Sequence, residues 1–214
     1  MGLLDRIAPR RSETEPAPAP GAPVEDPVFS TKALRKFLAS LASRESPVLL
    51  DLGPVVGPNV TFFGEQFGCK IFVEDIYADR DRHVREGKVD ALPAFLEKRF
   101  PQPDGTVDGV LCWDLIDYLD RHAAQALATQ LMRVLRPDGA LLGFFGTAQP
   151  RETRYTKYII VDELNLKHRS YEAPRGRHAI LLNRDIIRLF SGLRVSDSFL
   201  LQNNLREILF RKPL

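Results

Sequence analysis

The sequence predicts an α/β fold: an open, mostly parallel sheet with helices on both faces, finished by a C-terminal antiparallel hairpin. Three observations predict it. Short apolar runs (Val48–Leu50, Lys70–Asp75, Val107–Trp113 and Ala140–Phe145) alternate with longer segments whose apolar residues recur every three or four positions. The runs lack strict polar alternation, as strands buried on both faces do. The last two runs, Leu193–Leu201 and Leu205–Arg211, are separated only by Gln202-Asn203-Asn204. So short a link forces antiparallel pairing.

Residues 1–27 read as a disordered leader rich in Pro and Ala, too poor in large apolar side chains to offset chain entropy. Residues 28–214 read as one domain. Ser30 is expected to cap a first helix whose face is Leu34, Phe37, Leu38 and Leu41. After the strand Val48–Leu50 comes a loop containing Gly53 and Gly57, then a short helix over Asn59–Phe67 stopped by Gly68. The stretch Ile76–Phe100 is mainly helical, with Val89–Leu92 the best candidate for a third strand. Val107–Trp113 is the fourth strand, Arg121–Leu135 an amphipathic helix, and Ala140–Phe145 the fifth strand. Residues 149–183 form a lid-like insertion, with Tyr155–Asp162 and Leu166–Tyr171 as an extra β-hairpin. A helix over Arg184–Phe190, capped by Asn183, precedes the terminal hairpin.

Composition removes several function classes. Across 214 residues, 30 Lys and Arg nearly balance 28 Asp and Glu, so no strong field favours nucleic acid or an anionic membrane. No apolar run approaches the roughly 20 residues that span a bilayer. The N-terminal Met1–Ile7 is too short and charged for a secretory core, and Arg6 spoils a myristoylation signal. Cys69 and Cys112 lie in apolar stretches and read as buried thiols. These features lead us to expect a cytoplasmic protein. His168 and His178 fit no metal-ligand spacing, so no metal is expected.

In open parallel sheets ligands meet the C-terminal ends of strands, and here polar residues gather at those ends. Asp51 closes the first strand ahead of Leu52-Gly53-Pro54-Val55-Val56-Gly57; Glu74 and Asp75 close the second; Trp113 and Asp114 close the fourth. Glycine lets a ligand approach backbone, and the helix beyond presents unpaired N–H groups.

Asp51-Leu-Gly53-Pro-Val-Val-Gly57 resembles the first motif of the class I S-adenosylmethionine-dependent methyltransferases, which have a Rossmann-like fold. The family's middle glycine is Val55 here. Ile71–Ile76, with Glu74 and Asp75, resembles the second motif and Asp108–Leu119 the fourth. The resemblance implies S-adenosyl-L-methionine as cofactor. It places Asp51, Gly53, Pro54 and Gly57 at the methionine end, and Glu74 or Asp75, with Ile76, at the ribose. Trp113 would offer a ring face to the sulfonium, or serve as a core aromatic. Asp114 is the one catalytic candidate, to orient or deprotonate the acceptor, or else a helix cap; no nucleophile is required. Val55 implies either negative φ or a narrowed pocket. The adenine contact has no clear position, Asp90 being only a guess. The insertion carries Arg151, Arg154, Lys157, Lys167, Arg169, Arg175 and Arg177, which read first as a solvated charged hairpin or a dimer contact and, in the family's lid position, would suit an anionic acceptor. A small-molecule acceptor is the default reading. A cofactor-free binding module on the same fold and, further off, an NAD-dependent oxidoreductase are the rivals.

Overall fold

In the computed structural model, which describes residues 26–148, 154–174 and 180–214, the chain opens with a short strand, β1 (Val28–Ser30), and helix α1 (Leu34–Ala42). It continues through β2 (Val48–Asp51), α2 (Gly57–Phe67), β3 (Lys70–Val73), α3 (Ile76–Arg85) and α4 (Leu92–Leu96). The second half supplies β4 (Val107–Trp113), α5 (Arg121–Val134) and β5 (Leu135–Gly146), then a hairpin of β6 (Arg154–Ile160) and β7 (Asn165–Glu172). Helix α6 (Asn183–Leu189) and strands β8 (Arg194–Leu200) and β9 (Leu205–Arg211) complete it.

The main sheet has the order β3-β2-β4-β5-β9-β8, with β3, β2, β4 and β5 parallel and β9 antiparallel to both neighbours. Strand alternation divides the core into two layers. Leu49, Leu111 and Leu142 pack with Phe37, Leu38 and Leu41 of α1. Leu50, Val110 and Leu141 face the other way, against α3, α4, α5 and α6. The apolar face read from the spacing of α1 is the one buried. Gly109 lets α1 sit this close: a Cβ there would lie 2.9 Å from both Phe37 and Leu41. Helix α2 starts with Pro58 in its first turn and stops at Gly68, whose φ of 60° few other residues tolerate.

Three expectations fail, one of them the cap at Asn183, which is the first residue of α6 itself and makes no capping side-chain hydrogen bond. Val89–Ala91 is a short 3-10 helix leading into α4, so Val89–Leu92 is not a strand and β3 is the sheet's edge. Pro93, pre-set for a helix's first turn and lacking an N–H, favours that outcome. Ser30 is no helix cap; it lies in β1, which pairs with β7 in a separate sheet of order β1-β7-β6. Thr31 serves the helix start instead, its Oγ1 accepting from the Leu34 amide at 3.3 Å. The leader lies outside the described residues apart from Asp26 and Pro27. Among the described residues no helix is long and apolar enough to cross a membrane, and no group of three or more His, Cys, Asp or Glu is placed to hold a metal.

Candidate ligand cleft

Strand β2 pairs with β3 on one side and β4 on the other, so the chain reverses its direction of travel across the sheet at the tip of β2. A crevice opens at such a switch. Asp51 stands there, 5% exposed. Its Oδ1 accepts the Gly53 amide at 2.9 Å and the indole N–H of Trp113 at 2.7 Å. Burial pushes its carboxyl up to about 6; those two donors oppose the rise, and the charge of Asp75 adds to it. Gly53 has a steric reason to be glycine: a Cβ would lie 2.9 Å from the Trp113 ring.

Trp113 reaches this position through an unusual backbone. Its φ is 48°, and the β4–β5 register shifts between Leu111 and Trp113. A bulky residue in the left-handed region costs about 1–3 kcal/mol and persists only where its surroundings hold it. Here they do: the ring is 3% exposed, stacks on Tyr158 at 5.1 Å with planes 4° apart, and packs against Phe144.

The acid pair after β3 divides. Glu74 turns to Arg99, forming an ion pair, and Gln102 donates to its other oxygen at 3.0 Å. Asp75 has φ 37° and caps α3, its Oδ1 accepting the Ala78 amide at 3.2 Å. One Asp75 oxygen is thus engaged among the described residues, whereas both Glu74 oxygens are taken. Ile76 is fully buried in the core beneath them, its amide donating to the Leu52 carbonyl at 3.1 Å.

Asp114 does not cap the 3-10 turn that follows it. Its Oδ1 accepts the Tyr77 hydroxyl at 2.6 Å, and the Tyr118 hydroxyl stands 3.4 Å from Oδ2. Burial lifts its carboxyl to about 6; the Tyr77 hydroxyl opposes this and neighbouring Asp117 reinforces it. All five tyrosines of the chain converge on this region: Tyr77, Tyr118, Tyr155 and Tyr171 in edge-to-face or tilted contact, and Tyr158 on Trp113.

Residues 50–143 match the family model described as a methyltransferase domain. The chain has the Rossmann-like fold of the class I methyltransferases. Among solved structures, a protein from Pyrococcus horikoshii OT3 matches with a TM-score of 0.51 and 19% identity, over 84% of this chain and 88% of that one. A geranyl diphosphate methyltransferase in complex with S-adenosylmethionine matches with a TM-score of 0.51 and 14% identity, over 85% and 84% of the two chains. No curated protein matches the sequence.

On this methyltransferase fold the β6–β7 hairpin lies across the cleft and is pinned from three elements. The amide of Asn59 in α2 donates to the Tyr158 carbonyl and accepts the Ile160 amide, both at 2.8 Å. Buried Arg80 of α3 donates to the Tyr118 carbonyl at 2.8 Å and the Tyr155 hydroxyl at 2.6 Å. Tyr118 in turn donates to the Arg154 carbonyl at 2.6 Å. None of Asn59, Tyr77, Arg80 or Tyr158 stands in a recognisable motif, and Tyr118 lies within Asp108–Leu119 without a role the motif assigns it. The available signal was a polar Asn59 opening the Phe-rich helix, and an arginine on the buried side of α3.

Val55 is 67% exposed and is not among the residues with positive φ, so its side chain points to solvent and does not narrow the loop. A Cβ on Gly57 would meet nothing within 4 Å. Pro54 is half-buried. Asp90 is exposed on the 3-10 turn. The hairpin's cations also depart from expectation. Lys157, Lys167 and Arg169 line a hollow of about 350 Å³ against Val55–Pro58, away from Asp114. Arg151, Arg175, Arg177 and His178 lie outside the described residues.

Proposed function

We propose that this chain transfers a methyl group from S-adenosyl-L-methionine to a small-molecule acceptor by in-line displacement. The observation that carries this reading is the tip of β2. A buried carboxylate and a glycine whose Cβ would press on the Trp113 ring meet there at the sheet's switch point, with Asp75 at the neighbouring tip. The donor and acceptor set fits the cofactor. Asp51 would hold the ammonium side of the methionine end, the Gly53–Gly57 backbone would lie along it, and Asp75 would match the vicinal hydroxyls of the ribose. Glu74 is held by Arg99 and Gln102, which leaves the ribose to Asp75.

Bound S-adenosylmethionine supplies a methyl group already activated by its sulfonium. The protein's task is then positioning and exclusion of water. The hairpin, fixed by Asn59 and Arg80, excludes water, and Asp114, with its carboxyl lifted to about 6, accepts a proton from the acceptor. Trp113 lies against Gly53, so the indole has to shift for the methionine end to enter.

The same contact favours the second reading, a methyltransferase fold that binds partners without cofactor. Calorimetric titration with S-adenosylhomocysteine separates the two. Heat is expected at sub-millimolar ligand, and Asp75→Ala should weaken binding roughly tenfold. Silence at near-millimolar concentration supports the cofactor-free module, and heat with NAD alone would move the chain to the oxidoreductases.

A further inference from the structure

A cavity of about 470 Å³ opens between the hairpin and the tips of β4 and β5, with the β8–β9 turn as its far wall. Strand alternation sorts what faces it. The cross-strand pairs Thr156–Ser170 and Tyr158–His168 line the cavity, while Lys157–Arg169 and Ile159–Lys167 present their side chains to the opposite hollow. The positive charge of the hairpin is thereby largely turned away from the cavity, and exposed Arg154 stands at its rim.

The remaining wall mixes apolar Pro27, Phe29, Ala148 and Leu205 with hydrogen-bond acceptors. Asp114 and Asp117 form the floor, 6% and 1% exposed. Gly146 donates its amide to Asp117 Oδ2 at 2.6 Å. Asn203 lines the cavity too, and its buried Oδ1 has no partner among the described residues. Such an atom costs about 1–3 kcal/mol unless a ligand or water donates to it. His168, packed on Phe29 and Tyr158, has its imidazole pushed down to about 4 by burial and adds no charge at neutral pH.

We propose that this cavity takes a nitrogen base as methyl acceptor, a primary or secondary alkyl- or arylalkyl-amine whose N–H groups meet Asp114 and the Asn203 oxygen. The inference rests on the methyl-transfer reading above and replaces the anionic acceptor that the hairpin's composition implies. Asp114 takes one proton from the bound ammonium and so frees the nitrogen lone pair. The nitrogen then gains the methyl group as the carbon–sulfur bond breaks, with that bond's electron pair left on sulfur. The product leaves as a methylammonium.

Tyramine and 4-hydroxyphenylacetate share a ring and length and differ in the sign of their charge, so calorimetry on the full chain with both tests the charge preference directly. Tyramine should bind roughly tenfold or more tightly than the acid, and Asp114→Asn should remove that preference. Asn203→Ala, in a surface turn, should cost tyramine several-fold and leave the acid unchanged. Equal or tighter binding of 4-hydroxyphenylacetate, or no heat with either tyramine or spermidine, overturns the amine. Titration with S-adenosylhomocysteine runs alongside. Heat there without an amine preference sinks only the acceptor class; amine binding without it keeps the cavity and sinks methyl transfer.

Discussion

Trp113 lies against Gly53 so closely that a single added methyl group would stand 2.9 Å from the indole. Gly53→Ala must therefore displace the ring or shift the loop, at a cost of about 1–3 kcal/mol. Gly57→Ala, four residues on, meets open space and sits in a helix's first turn, so it should be neutral or stabilising by up to about 1 kcal/mol. Urea midpoints of the two variants, measured together, check the contrast. In a Trp113→Ala background the cost of Gly53→Ala should largely vanish, since contacting residues are not additive.

The same contact predicts how ligand entry is read. Trp113 is the chain's one tryptophan and is 3% exposed. Its emission should shift to longer wavelength when S-adenosylhomocysteine binds. Trp113→Ala should lower the midpoint of unfolding yet bind that ligand several-fold more tightly, because the ring no longer has to be moved. Weaker binding by the variant would mean that the indole is part of the bound site.

Asp114 makes a prediction about pH. A carboxyl that ionises near 6 in the folded chain and near 3.8 in the unfolded one holds its proton more tightly when folded. Its stabilising contribution is complete below pH 3.8 and is lost as pH rises through about 6, a swing of about 3 kcal/mol. Asp114→Asn lacks that swing. Its stability relative to the parent should therefore climb between pH 4 and 7 by about that amount and stay level above. Calorimetric melts of both proteins across the range measure the difference; a flat difference contradicts it.

Arg80 is 4% exposed and joins α3 to the hairpin through Tyr118 and Tyr155. Arg80→Met keeps most of the volume and removes both hydrogen bonds. Amide exchange should speed up at least tenfold in Arg154–Ile160 while Leu49, Val110 and Leu141 of the central sheet stay protected. Uniform acceleration across the sheet would show that the hairpin is not a separate unit.

Val48–Leu50 and Val110–Trp113 were readable because burial on both faces leaves an unbroken apolar signature. The terminal hairpin was readable because Gln202–Asn204 permits no crossover. Asp51 and Asp114 stood out by lying at strand ends. What the chain hides is long-range partnership. Glu74 and Asp75 look equivalent until Arg99, 25 residues away, takes Glu74. Trp113 reads as any strand-end aromatic, because nothing local announces a φ of 48°. The direction of the hairpin's charges depends on its β6–β7 register, which composition does not set. β1 is too short to show a period of two, and it exists only because β7 offers an edge.

The gathering of every tyrosine and the single tryptophan around Asp114 also gives the molecule an uneven optical signature. Near-ultraviolet circular dichroism arises mainly from those rings, whereas Phe37 on α1 and the Phe190–Phe210 pair behind α6 contribute only phenylalanine. The spectrum therefore records the state of the cleft and passes over the rest of the fold. A variant could lose its near-ultraviolet bands with the far-ultraviolet spectrum intact, and that pattern would report an opened cleft, not a molten protein.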